Sequence, residues 1–130
     1  MTGQLRKFAA VRVWLCEEEG SSLADDRNLS GLIGDLYSAG AQVAAIPLGR
    51  LGPDFLRLST GVAGAVLQKL VNYRFHVALL GDTSSAVAAS APLGDFVRES
   101  NRGASVWFVR DLAELEARLS DPSGEPGAAP

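Results

Sequence analysis

A chain of 130 residues, 47% hydrophobic and 21% charged, has the size and composition of one globular domain around one sizeable core. Its formal net charge of −3, with lysines and arginines scattered along the chain, argues against a nucleic-acid partner, which would call for a basic surface to neutralise phosphates. No apolar stretch approaches the ~20 residues of a membrane span, and the opening MTGQLRKF carries no secretory hydrophobic segment, so a cytoplasmic protein is expected.

The first element is KFAAVRVWLC, Lys7 to Cys16, which alternates with period two. Ala9, Val11, Val13 and Leu15 share one face; Phe8, Ala10, Arg12 and Trp14 share the other, predicting a strand whose second face is partly wet. EEEGSS follows as a turn leading into a short hairpin partner that ends near Leu23. Leu29, Leu32, Ile33 and Leu36 then recur at helical spacing, with Asp25, Asp26 or Asn28 as the cap and Gly40 as the stop. AQVAAIP is a short apolar run ended by Pro47 and reads as a buried strand.

LGRLGPDFLRLSTG reads as a loop with one helical turn after Pro53. A longer helix is predicted from about Thr60 to Asn72, with Val62, Val66 and Leu70 as its apolar stripe. Gly61 and Gly64 lower helix propensity there, which points to close packing against another backbone. FHVALLG is apolar on both faces, as a central strand is, and DTSSAVAASAP reads as a flexible loop. LGDFVRESN is a helix closed by Gly103, ASVWFVR a strand, and DLAELEARLS a helix with Leu112, Leu115 and Leu119 inward. The tail DPSGEPGAAP has little to bury and is expected to be disordered. The alternation predicts an α/β single domain over residues 1–120 and a disordered tail over 121–130. Its sheet is small and largely parallel (mixed), of about four to five strands with about four helices.

Several linked motifs recur in one known family. They are Phe55, Thr60-Gly61 with Ala63-Gly64, Leu67-Gln68-Lys69, Asn72-Tyr73-Arg74, Gly81-Asp82 and Glu99-Ser100-Asn101. Over roughly Ala24 to Leu119 the chain closely resembles the bacterial domain-of-unknown-function family numbered 4180. Leu56 departs from that pattern, where a second phenylalanine is frequent, and so does the alanine-rich loop from Ser85 to Ala91. The resemblance implies a fold related to STAS domains (sulphate transporter and anti-sigma-factor antagonist). LSTGVAGAVL is similar to the STAS stretch in which a phosphorylatable serine precedes a helix, and that likeness makes Ser59 or Thr60 the switch hydroxyl.

The candidate chemistry is sparse. Thr60 stands where a helix cap is wanted, although a phosphate would also suit a helix N-terminus. Lys69 and Arg74 sit at a helix C-terminal end, where they, Gln68 and Asn72 either close the helix or read a ligand or partner. Asp82 follows a strand directly, a position that suits either a turn residue or a ligand contact. Glu99 and Arg102 are spaced for a helical ion pair. Glu99, Asn101 and Arg102 are expected to face inward toward Arg74 and Asp82, and Glu99 or Asp82 would be the acid/base in an enzyme.

His76 is the single histidine and Cys16 the single cysteine, so no disulfide is possible within the chain and no metal site is expected. No cofactor motif is present either. Trp14, beside Arg12, and Trp107 are expected on one partly open sheet face, with Ala44 and Ala78 between them. Two readings follow. One is a non-enzymatic STAS-like interaction or regulatory module that binds a protein partner or itself as a homodimer. The other is a small enzyme or ligand-binding accessory protein with a small-molecule pocket near Trp14 or Trp107.

Overall fold

The computed structural model describes residues 2–120, so the tail expected to be disordered lies outside the described residues. Strands β1 (Gly3–Phe8) and β2 (Val11–Cys16) form a hairpin. Helix α1 (Asp26–Ala39) leads to β3 (Val43–Pro47), and α2 (Val62–Asn72) leads to β4 (His76–Leu80). Helices α3 (Ser84–Ala89) and α4 (Ala91–Arg102) precede β5 (Val106–Val109), and α5 (Leu112–Ser120) follows it. The five strands lie in the order β1-β2-β3-β4-β5, with β1 antiparallel to β2 and every other neighbour parallel. The α/β architecture with a mixed, largely parallel sheet is therefore as the alternation predicted. Among the described residues no helix is long and apolar enough to cross a membrane.

The start of the chain differs from its sequence reading. The run from Lys7 to Cys16 is not one strand; it contains the hairpin turn. Ala9 and Ala10 have φ of 50° and 68°, both left-handed, between the paired residues Phe8 and Val11. Positive φ at both central residues defines the tight type I′ turn, whose twist matches that of the flanking strands. The segment after Cys16 carries no hairpin partner; it is a loop pinned by Arg50.

Because the parallel strands follow one another across the sheet, crossovers of one hand place their helices on one face. There Leu29, Leu32, Ile33 and Leu36 of α1 and Ala63, Val66, Leu67 and Leu70 of α2 close over Trp14, Ala44, Ile46, Val77, Leu79 and Phe108. Phe96 and Val97 of α4 pack against the same cluster. The second face carries Val11, Val13, Val43, Ala45, Ala78, Trp107 and Val109, covered by Leu115 and Leu119 of α5. That helix packs on both β5 and β1, the two edges of the sheet, so it crosses the whole second face.

Capping follows the predicted logic in α1, where the Asp25 carboxylate accepts the Arg27 N–H at 2.9 Å and Gly40 ends the helix at φ 68°. At α2 the cap position belongs to Gly61, not Thr60, and neither Gly61 nor Gly64 has a neighbouring group within 4 Å of where a Cβ would stand. The close backbone packing expected at those glycines is absent. Residues 84–89, expected as a flexible loop, form α3.

Candidate functional site

Strands β4 and β5 run side by side, yet the chain leaves their carboxyl ends in opposite directions. After β4 it turns through α3 and α4 on the first face; after β5 it enters α5 on the second. Adjacent parallel strands whose connections diverge leave a crevice at their carboxyl ends, the usual ligand position in open α/β sheets. Here a cleft of about 600 Å3 opens at the ends of β2 to β5, with Leu15, Ala45, Pro47 and Leu80 as apolar lining and Glu18, Arg110 and Asp111 as charges. A second hollow of about 300 Å3 lies beside it, between Asp82, Ser84, Arg98, Asn101 and Glu114, and shares Gly81 and Arg110 with the first. Gly81 has φ of 150°, and an added Cβ would meet the Leu48 side chain at 2.9 Å. Arg110 is turned toward Glu114, with Nε 3.4 Å from the carboxylate.

The two expected acid/base residues do not converge. Asp82 is exposed, and its Oδ1 accepts the Ser84 N–H at 2.9 Å. Hydrogen bonds from the Ser84 side chain and backbone hold the Asp82 carboxyl below its ordinary range, so at neutral pH it is ionised and carries no proton to donate. Glu99 is exposed on α4 and takes part in none of the ion pairs among the described residues, so the expected pairing with Arg102 is not formed.

Asn101 does turn inward, but to a different partner from the one expected. Its Oδ1 accepts the Phe108 N–H at 2.7 Å, and its backbone oxygen accepts from Arg118 Nη2 at 2.9 Å. In a parallel pair alternate N–H groups of an edge strand point away from the sheet. With β4 bonding Ser105 and Val109, the N–H groups of Val106, Phe108 and Arg110 point outward along this edge. Asn101 takes the Phe108 N–H and Glu114 Oε1 takes the Arg110 N–H at 3.1 Å. Two side chains thus cap the outward N–H groups of Phe108 and Arg110 at the carboxyl end of this edge.

The tryptophans do not share an open face. Trp14 is 2% exposed on the α1/α2 face, in the cross-strand row Trp14–Ala44–Val77–Val106. Trp107 is 3% exposed on the α5 face, in the next row, Leu15–Ala45–Ala78–Trp107. Both indole N–H groups are used internally: Trp14 donates to Thr2 Oγ1 at 2.9 Å and Trp107 to the Gly103 carbonyl at 2.7 Å. The Arg118 guanidinium lies 3.9 Å from the Trp107 ring centre, a cation–π contact that seals the second face.

Other expected contacts serve the scaffold. Lys69 Nζ reaches Asp26 and Ser30, each at 2.9 Å, and ties α2 to α1. Asn72 accepts from Gln68 one turn earlier at 2.8 Å, and Arg12 Nε donates to the Gly40 carbonyl at 2.6 Å. Thr60 Oγ1 lies 2.7 Å from the Arg57 carbonyl and 3.0 Å from that of Asp54, and accepts the Val62 N–H at 3.3 Å, so it organises the entry to α2. Ser59, Arg74 and Arg102 stand exposed, Arg74 with a left-handed φ of 69°. Among the described residues no group of three or more His, Cys, Asp or Glu is placed to hold a metal ion.

The residue that the sequence reading passed over is Arg50. It is the one charged side chain buried among the described residues, at 6% exposure. Nε and Nη2 donate to the Ser21 carbonyl at 3.2 and 3.1 Å, and Nη1 donates to the Glu17 carbonyl at 2.7 Å. The available signal was a lone arginine inside the apolar, glycine-flanked LGRLG run.

No curated protein and no solved structure matches the chain. The sequence pattern of the family described as "Domain of unknown function (DUF4180)" matches residues 8–119, and the chain belongs to that family.

Proposed function

We propose that this protein is a ligand-binding module that captures a small, largely apolar molecule at the carboxyl ends of its parallel strands. The observation that carries this reading is the cleft where β4 and β5 diverge, with its apolar lining and its charges at Glu18, Arg110 and Asp111. Ala113, exposed on α5, lines the same cleft, so a large side chain there fills the space without disturbing the core. Tryptophan introduced by Ala113→Trp is expected to abolish binding of any metabolite identified by screening, with the fold retained by circular dichroism. Undiminished binding in that variant would place the ligand elsewhere and end this reading.

A second reading, a STAS-like regulatory module, is favoured by a different observation. An antiparallel hairpin precedes parallel strands in sequential order, and an exposed serine, Ser59, stands at the entry to the helix after β3. Thr60 is engaged with backbone carbonyls, which leaves Ser59 as the better phosphate acceptor. A protein partner, or a second copy of the chain, would then meet the exposed Tyr37 and Tyr73 near Arg74, whose rings lie edge to face at 6.2 Å. Mass spectrometry of the protein recovered from its own cells tests the switch: Ser59 unmodified under every growth condition removes it.

A further inference from the structure

The loop after β2 divides two hollows. Glu18 faces the strand-end cleft, while Glu17, Glu19, Gly20 and Ser21 line a separate pocket of about 310 Å3 on the α1 side, together with Arg27 and Arg50. A guanidinium carries five N–H bonds. Three contacts to carbonyl oxygens leave Arg50 two N–H groups, one on each terminal nitrogen. Its charge meets no carboxylate: the ion pairs among the described residues are Arg57–Asp54, Lys69–Asp26, Arg98–Asp95 and Arg110–Glu114. Asp35, whose charge is felt with that of Arg50 at the Cys16 thiol, is committed to the Thr2 N–H and hydroxyl at 2.8 and 2.9 Å.

A buried cation held only by neutral carbonyls is costly unless an anion joins it. The pocket provides the room, and a second cation, Arg27, lines it. Gly20 lets the loop lie against the guanidinium, since a Cβ there would stand 3.0 Å from its central carbon. Two terminal N–H groups on a planar fork match the paired oxygens of a carboxylate or phosphate.

We propose that this pocket binds a small oxyanion, the phosphate or carboxylate group of a ligand, through Arg50 and Arg27. Glu17 and Glu19 line the same pocket, so the site disfavours highly charged polyanions and suits a compact group of low charge. The inference is independent of the strand-end cleft, which lies across the loop.

Isothermal titration at constant ionic strength tests it, with inorganic phosphate and acetate as probes and sodium chloride as the control. Saturable one-to-one binding of either probe is expected; phosphate alone, acetate alone or both identifies the chemistry of the group. Arg27→Gln, a change at an exposed residue, should weaken binding about tenfold, the loss of one charge-assisted contact. Arg50→Lys keeps the charge but loses the fork and should weaken it at least as much. If Arg50→Lys fails to fold, Arg27→Gln decides. Heats indistinguishable from chloride, or binding that ignores Arg27→Gln, overturn the proposal. So does loss of anion binding in Ala113→Trp, which would assign the anion to the strand-end cleft.

Discussion

Removing the Asn101 side chain is the sharpest probe of how α4 is tied to the sheet. In Asn101→Ala the Phe108 N–H loses its acceptor at a strand whose side chain is 7% exposed, between α4 and the sheet. A buried donor left without a partner costs about 1–3 kcal/mol, and Asn101 is half-buried, so partial hydration places the expected loss near 2 kcal/mol. With an unfolding entropy of about 2.1 cal/mol/K per residue over ~120 residues, that lowers Tm by about 8 °C. Asn101→Asp keeps an oxygen facing the amide and should lose less than half as much at neutral pH. Urea denaturation followed by tryptophan fluorescence measures both, and hydrogen exchange at Phe108 localises the effect. An Asn101→Ala protein within 0.5 kcal/mol of the parent (about 2 °C in Tm), with unchanged exchange at Phe108, would refute the reasoning.

The Ala9-Ala10 turn holds two non-glycine residues at positive φ, a conformation that disfavours a Cβ by about 1–2 kcal/mol each. Replacing the pair with Asn-Gly (Ala9→Asn with Ala10→Gly) is expected to stabilise the protein by about 1 kcal/mol, read as a higher urea midpoint at constant m-value. Cys16 is buried, and that desolvation pushes its thiol up to about 12 from 9.0. Native protein should therefore resist a thiol reagent at pH 8 that reacts at once in urea. The folded state holds this proton more tightly than the unfolded state, so the thiol's contribution to stability is complete below pH 9 and falls as pH rises from 9 toward 12. Cys16→Ser should flatten that part of the stability–pH curve. Phe55→Ala empties a site 1% exposed and should cost about 3–5 kcal/mol.

What the sequence could and could not reveal follows from range. Periodicity within a segment identified β2 to β5 and four of the five helices, because alternation and helical stripes are local properties. The hairpin turn was hidden because two alanines carry none of the glycine or asparagine signal such turns usually show. Helix α3 was hidden because it buries none of its residues and so has no stripe; Val87 lies against Gly94 and Asp82 receives the Ser84 N–H. The error over the tryptophans concerned phase between strands. Placing both indoles on one face puts Val13 and Phe108 together on the other, whereas the register puts those two on opposite faces and carries the indoles apart. A one-residue shift between strands exchanges every facing side chain, and no pattern inside either strand fixes it. Arg50 escaped notice for the same reason: its partners Glu17 and Ser21 are about thirty residues away.

The side-chain caps at β5 also bear on strand addition at that edge. Continuous-sheet assembly works by offering unpaired N–H groups to an incoming strand, and at the carboxyl end of β5 Asn101 and Glu114 already hold the Phe108 and Arg110 groups. A strand pairing along that end would have to displace both side chains. The opposite edge, β1, carries the exposed Leu5 and pairs on one side only. The two edges of the sheet thus differ: β5 is capped by side chains toward its carboxyl end, and β1 shows no such side-chain cap among the described residues.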